Sequence, residues 1–402
     1  MTEATTEAGQ ASITFPLITL GLDALGVGII APIVPGLVQQ LAHLPPERAA
    51  PWVGALLAVC AGVQFFVAPL LGALSDRFGR RPVILISVFG IGCDYVLLAL
   101  APSMWWLFVG RLIAGATSAN VAAVTAFIAN VTPQDGRARR FGLIGVTFGA
   151  GFVIGPAMGG FLGGYGLRLP FYAAAVLAFA NFLYGLTVLP ESLKPADRHA
   201  VDWSRANPFG LLRRVWRRPG LRRLALAWAC SWAGLGAVQS SLVLFTRYRF
   251  GWDSRANGLV LAGIGLSQAI VEGVLLAYIA KWFGDRRTAL MGYVAGALGY
   301  AILAMSVSGW MIPPAIVLLA LGGLSIPSVR AMMSGDGGVD HQGEMQGALT
   351  AVEGLTAVFA PLLAAGLFFA FISSVVPFRF AGAPFAMAAV AAAIAGRLLR
   401  RV

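Results

Sequence analysis

Charge is what this chain lacks. Of its 402 residues only 11% are Asp, Glu, Lys or Arg, against roughly a quarter in an ordinary water-soluble domain. A surface so poor in charge does not face water. Cysteine and histidine are scarce too, at three each. Cys60, Cys93 and Cys230 stand far apart inside apolar runs, which offers neither a disulfide framework nor metal-ligand spacing. His43, His199 and His341 fall in connectors, so the apolar runs contain no imidazole. The chain also lacks a GxxxxGK[ST] phosphate loop, a glycine-rich nucleotide fingerprint and a nucleophile–histidine pair near an apolar run. These absences argue against an enzyme, and ATP-driven work would need a separate subunit. The N-terminal MTEATTEAGQ has no basic start and no small-residue cleavage site, so it is not read as a secretory signal.

What is present is hydrocarbon and glycine: 58% hydrophobic residues and 50 glycines, with a mean hydropathy of +0.80. The net charge of +12 would suit nucleic acid if the basic residues clustered on a solvated domain. They sit instead in short connectors between apolar runs, so no nucleic-acid partner is expected.

About 20 apolar residues cross a bilayer core. Such runs fall near 12–38, 52–74, 83–102, 105–129, 140–164 and 170–189, then near 224–246, 255–280, 288–308, 311–333, 346–372 and 379–396. Twelve spans are therefore expected, in an all-α membrane protein. Alternate connectors together with the C-terminus hold 21 Lys and Arg, and the other side holds 6. Basic residues collect on the cytoplasmic side, so both termini are expected in the cytoplasm. The longest connector, 190–223, divides the chain into six-span bundles over 1–189 and 224–402, and its nine basic residues suit contact with anionic headgroups.

The halves repeat. At an offset of 205, Phe78, Gly79 and Arg81 fall on Phe283, Gly284 and Arg286. Tyr95, Leu98, Ala99, Ser103 and Trp105 fall on Tyr300, Leu303, Ala304, Ser308 and Trp310; Gly142, Gly149 and Pro156 fall on Gly347, Gly354 and Pro361. Two like bundles in one orientation imply a pseudo-two-fold axis along the membrane normal, with a site near the midplane between them.

Charges inside spans are costly, about 2.5–3.5 kcal/mol at a helix centre on insertion scales, and are functional candidates by default. Here they are Asp23, Asp94, Arg111, Glu272, Arg330 and Glu353. Asp23 lies about 15 Å into the first span at 1.5 Å per residue, among the glycines of LGLDALGVGII. Asp94 and Arg111 occupy consecutive spans at matching depths, roughly 10–12 Å below the outer surface; a neutralising pair and a role in transport are both compatible with that. A carboxylate in a partly dry cavity can exchange protons near neutral pH, which is what proton coupling needs. Gln64, Thr117, Ser118, Asn120 and Asn181 either line a cavity or join helices by hydrogen bonds. Gly151, Gly155, Gly159 and Gly163 recur every four residues around Pro156. The stripe allows close helix contact, and packing alone or a kinked pivot would account for it.

GALSDRFGRRP at 72–82 concentrates four charges between two apolar runs. With FVGRLIAGATSAN, GFVIGPAMGG and LDALGVGIIAPIVPGL, it resembles the major facilitator superfamily, and within it the tetracycline-resistance-like drug:proton antiporters. The resemblance extends over nearly the whole chain. It implies the twelve-helix fold of that superfamily and proton-coupled efflux of amphipathic small molecules, tetracycline-like or multidrug, across a bacterial inner membrane. Gly72, Asp76, Arg77, Gly79, Arg80 and Arg81 would form a gating loop, with Asp76 facing the N-terminus of the eleventh helix. Gly151, Gly155, Pro156, Gly159 and Gly160 would be the helix-five antiporter motif. Asp23, Gln64, Asp94, Arg111, Asn120, Glu272 and Glu353 are the candidates for substrate or proton coupling. The chain departs from the pattern at Gly296, where an acidic residue is common, at Gln268, where several relatives carry histidine, and at Asn130, where an acidic latch partner is usual. Glu272 or Glu353 would then take the role of the C-terminal carboxylate. No cofactor is expected beyond the proton gradient, a divalent cation entering only in complex with substrate, and no obligatory protein partner is evident. The alternatives are an uptake symporter of the same fold and a non-transporting membrane receptor or scaffold.

Overall fold

Proline and glycine set where the helices begin, bend and stop. A computed structural model of the chain describes residues 2–118, 124, 127–128, 137–193, 210, 216, 219–335, 339–373 and 377–401. Helix α1, Thr2–Ile30, ends ahead of Pro32, and α2, Val34–Ala42, resumes at an angle of 44°. Proline removes an amide donor and clashes with the carbonyl four residues back, so the expected single run 12–38 is a broken span. Helix α3 is Pro46–Phe78, α4 is Arg80–Leu100 and α5 is Met104–Thr117. The rest of the fourth run lies largely outside the described residues, as does most of the 190–223 connector. Helices α6, Arg137–Gly163, and α7, Leu169–Val188, complete the first six runs.

The second six begin with α8, Pro219–Phe250, and α9, Ser254–Ile270. A π-helical turn, Val271–Leu275, joins α9 to α10, Leu276–Met305. The eighth and ninth runs are two helices that meet at Gly284, where φ is 73° and ψ 162° and the backbone leaves the helical region. Helix α11, Ile312–Gly322, and α12, Ser325–Gly335, are the two pieces of the tenth run, parted at Gly323 and Leu324. Helices α13, Val339–Ile372, and α14, Ala383–Leu399, close the fold. Helix α13 starts earlier than expected, so His341 sits on a helix rather than in a connector. No strand occurs among the described residues. The architecture is an all-α membrane protein whose helices fall on each of the twelve expected runs.

The repeat seen in the sequence is also a repeat of contacts. Gly79 (φ 107°, ψ 160°) and Gly284 (φ 73°, ψ 162°) make the same positive-φ break, a region that non-glycine residues rarely enter. Arg81 donates to the carbonyl of Leu186 at 2.8 Å, near the end of α7, and Arg286 donates to that of Arg400 at 2.8 Å, at the end of α14. Each cation thereby caps the negative end of the last helix of its half. The Tyr95 hydroxyl packs on Gly26 and the Tyr300 hydroxyl on Gly234, while Pro156 packs on Gly28 and Pro361 on Gly236. Trp105 and Trp310, 76% and 73% exposed, stand at equivalent helix starts, where indole rings suit the headgroup level.

Two helix pairs, α6 with α9 and α3 with α13, carry most of the contact between the halves. Both are tight at the end away from the Gly79 and Gly284 breaks. A methyl group on Gly160 would lie 2.8 Å from Gly258 Cα, and one on Gly54 would lie 2.7 Å from Ala365 Cβ. Midway the spacing loosens: a methyl group on Gly149 would lie 3.8 Å from Ala269 Cβ, and one on Gly62 would lie 3.9 Å from Val358 Cγ2. Nearer the breaks, Gly72, Gly145 and Gly273 meet nothing within 4 Å among the described residues. Between α6 and α9 the spacing thus widens toward the breaks, while between α3 and α13 a methyl group on Gly354 would still lie 2.8 Å from Phe65 Cδ2.

Candidate functional site

Asp94 and Arg111 are brought together by the short α4–α5 turn. Their side chains form an ion pair through Asp94 Oδ2 and Arg111 Nη2, with Asp94 only 1% exposed. The pairing is incomplete. Among the described residues, Asp94 Oδ1 and Arg111 Nε are buried without a hydrogen-bond partner, which is uncommon for buried polar atoms. Gly110 makes the room: a methyl group there would stand 2.6 Å from Asp94 Oδ1. One carboxylate oxygen is therefore neutralised and the other has an acceptor site open.

Asp23 lies half-buried on α1. The Tyr95 ring lies over Gly26, one turn from Asp23. These contacts tie the first span to the Asp94–Arg111 pair. Thr19 donates to the Asn181 side chain at 3.2 Å, so Asn181 joins α1 to α7. Thr117 and Ser118 turn back to carbonyls of their own helix. Gln64 is exposed on α3, and Asn120 lies outside the described residues.

In the second half, Glu272 Oε1 accepts from Gln268 Nε2 at 2.9 Å. Glu353 is half-buried on α13 and interacts with Arg330 of α12. A cavity of about 90 Å³ opens between α8, α9, α10, α11, α12 and α14; Ser231, Gln268, Tyr293, Tyr300 and Ser325 supply its polar lining. Gln268 and Gly296, two of the departures from the resemblance, both line it. The third, Asn130, lies outside the described residues.

The helix-five glycines divide between two neighbours. Gly151 and Gly155 face α1 at Ala24, Leu25 and Gly28, and Gly159 and Gly163 face Ile29 and Ile33. Gly160 faces Ser254 and Gly258 of α9, and the Pro156 carbonyl also points at Gly258. The stripe is a close-packing surface on both sides, within a bundle and between bundles.

In the 72–82 loop, Asp76 pairs with Arg80 at 2.5 Å, and Arg80 also bonds Ser75. The Arg77 guanidinium lies 5.1 Å from the centroid of the Phe78 ring. Asp76 is thus engaged within its own segment; the side chains of the first turns of α13 lie outside the described residues. Glu191, which sequence reasoning passed over, holds this loop. It accepts from the backbone N–H of Arg80 at 2.9 Å and of Arg81 at 3.2 Å. Its signal was an acidic residue in the PES triplet closing the sixth run, opposite a helix start.

A family model described as Major Facilitator Superfamily matches residues 17–361. Tetracycline resistance protein, class C, of Escherichia coli is 40% identical over 353 residues, covering 87% of this chain and 88% of that protein. Tetracycline resistance protein, class G, of Vibrio anguillarum is 38% identical over 360 residues, covering 88% and 89%. Among solved structures, the human organic anion transporter MFSD10 (TETRAN) superposes with a TM-score of 0.72 at 23% identity, covering 97% of this chain and 99% of that one. A bacterial homolog of the human lysosomal transporter Spinster gives 0.77 at 16% identity, covering 100% and 98%.

Proposed function

The chain belongs to the Major Facilitator Superfamily, and on that premise we propose that it exports amphipathic small molecules, tetracyclines among them, in exchange for protons. Its setting is a bacterial inner membrane, with both termini in the cytoplasm. The observation that carries this reading is the buried Asp94–Arg111 pair with one carboxylate oxygen unpartnered, in a chain 40% identical to a tetracycline resistance protein. Protonation of Asp94 would leave the buried Arg111 without its counter-charge, so proton uptake is coupled to rearrangement of the pair.

In the mechanism, Asp94 accepts a proton at Oδ1 when the site faces outward and releases it when the site faces the cytoplasm. Arg111 balances the ionised form. Asp23 lies one turn before Gly26, on which Tyr95 packs, so proton and substrate would compete for one charged region. Glu353, Gln64 and Asn120 are secondary candidates for the same chamber. The 21-to-6 basic bias puts the Gly79 and Gly284 breaks in the cytoplasm. The widening between α6 and α9 toward that end is what a state open to the cytoplasm would need. Gly72, Asp76, Arg77, Gly79, Arg80, Arg81 and Glu191 would form the latch that closes it, with the Gly160–Gly258 and Gly54–Ala365 contacts as pivots.

Expression in a bacterium stripped of its own efflux systems tests the reading. Tetracycline tolerance should rise with the native chain, fall back with Asp94→Asn and fall with Asp23→Asn. Unchanged susceptibility with the native chain at normal membrane levels would refute it.

A further inference from the structure

The two halves repeat the same positive-φ break but balance its charge differently. Around Gly79 the first half supplies its own anions: Asp76 pairs with Arg80, and the Glu191 carboxylate accepts the amides of Arg80 and Arg81. Around Gly284 the second half keeps the arginine cap, with Arg286 donating to the Arg400 carbonyl at 2.8 Å. Beside it Arg223, in the first turns of α8, donates to the Arg401 carbonyl at 2.6 Å. Where the segment after α7 brings Glu191, the segment after α14 brings Arg400 and Arg401. The carboxylate of the first half is replaced by two more cations.

The two hydrogen bonds draw the Arg223 and Arg286 guanidinium groups onto the backbone of Arg400 and Arg401, with Arg287 next along the chain. A guanidinium has five N–H donors and each of these bonds uses one, so most of the donors are left over. Arg286, Arg287, Arg400 and Arg401 are exposed, as is Lys281 on the other side of the break. Among the described residues none of these cations forms an ion pair. The acid of this segment is Asp285, at the repeat position of Arg80, and it opens a helix, where the positive end of the dipole favours it. Gathered like charges repel, and a bound anion relieves the repulsion. The neighbouring side chains say which anion. Trp282 is 80% exposed and Tyr278 66% exposed on the same segment, and indole and phenol rings favour the headgroup level of a bilayer.

We propose that Arg223, Arg286, Arg287, Arg400 and Arg401 form a binding site for the phosphate headgroup of an anionic phospholipid, at the meeting of α8, the Gly284 break and the end of α14. Arginine forks match phosphate oxygens two at a time, and basic pockets between membrane helices recognise anionic headgroups in this way. The first half carries its anion as Glu191; the second takes it from the bilayer. The bound lipid ties the end of α14 to the break between the eighth and ninth spans, as Glu191 ties the sixth span to the third. The site serves whichever molecule the chain transports.

The test takes the delipidated full chain in neutral detergent and counts bound lipid by native mass spectrometry, with dioleoylphosphatidylglycerol as the anionic probe and dioleoylphosphatidylcholine as the zwitterionic one. The native protein should bind the first at least tenfold more tightly. The triple variant Arg287→Gln, Arg400→Gln, Arg401→Gln leaves both carbonyl caps in place, so it should fold; it should lose most of that preference with phosphatidylcholine binding unchanged. Lysine at the same three positions should restore part of it. A second triple, Arg48→Gln, Arg249→Gln, Arg379→Gln, removes the same charge from exposed arginines at the opposite end of the helices and should keep the preference. No headgroup preference in the native protein, no loss in the first triple, or an equal loss in both triples would each overturn the proposal. Millimolar inorganic phosphate should leave the lipid bound; displacement to the level of the first triple would mark a site for free phosphate and overturn the lipid assignment.

Discussion

The Glu191 carboxylate accepts the backbone N–H of Arg80 at 2.9 Å, so the segment leaving the sixth span is tied to the start of the third. Its second oxygen takes the next amide, that of Arg81, at 3.2 Å. An anion at a helix N-terminus satisfies donors that have no partner within the helix. A side chain at Gly79 would run into this carboxylate, so the positive-φ glycine and the acid belong to one device. It connects the gating loop to the basic connector that follows.

Glu191→Ala should loosen that connection at a cost of about 1 kcal/mol, the usual worth of a lost N-cap. Glu191→Gln, which keeps an acceptor, should cost less. Thermal unfolding in detergent, compared across the three proteins, checks the ranking.

Arg111→Ala and Asp94→Ala should each destabilise. Either change leaves a buried partner without its counter-charge, a loss of about 3–5 kcal/mol for such pairs, which Asp94 can relieve by taking a proton and Arg111 cannot relieve by losing one. The double variant should be more stable than Arg111→Ala alone. The amount of folded protein recovered after extraction, and its melting temperature, read this directly.

Gly160→Val should block the approach of α6 to α9, because even a methyl group there would lie 2.6 Å from the Ser254 carbonyl oxygen. Overpacking of this kind costs about 1–3 kcal/mol. Gly145→Ala, at the open end of the same helix and with nothing within 4 Å, should leave stability unchanged. Transport in vesicles should fall for the first and persist for the second.

At the end where the halves meet, the Arg255 guanidinium lies 5.2 Å from the Tyr165 ring centroid, bridging α9 and the turn after α6. A cation–π contact is worth about 0.5–2 kcal/mol, or about a 2- to 30-fold shift in the opening equilibrium at 1.4 kcal/mol per tenfold. Tyr165→Ala should shift the population toward opening at that end, and Tyr165→Phe should do so less. Spin-label distances between the outer ends of α6 and α9 would show the shift as a longer component.

The twelve apolar runs, the repeat and the charged residues within spans were legible because each has a local signal: run length, offset identity, or charge where none is cheap. Arg81 and Arg286 illustrate how far this goes, since their offset of 205 anticipates two equivalent helix caps. The break at Pro32 was readable in principle, yet a run of apolar residues on both sides masked it. The π-helical turn at Glu272 was not readable, because one extra residue in a turn leaves no mark on composition. Neither was the proximity of Gly323 to Glu272, which depends on two helices far apart in the chain. Glu191 was missed because a carboxylate beside a connector looks like an ordinary solvated charge. The Asp94–Arg111 match in depth was visible; the unpartnered Oδ1 needed coordinates.

The central claim, exchange of protons for substrate through Asp94, is tested most directly in proteoliposomes that report internal pH. With purified protein and an imposed pH gradient, adding tetracycline should release protons down that gradient, and Asp94→Asn should abolish the substrate-dependent part. Undiminished tetracycline-driven proton movement in a folded Asp94→Asn protein would contradict the account.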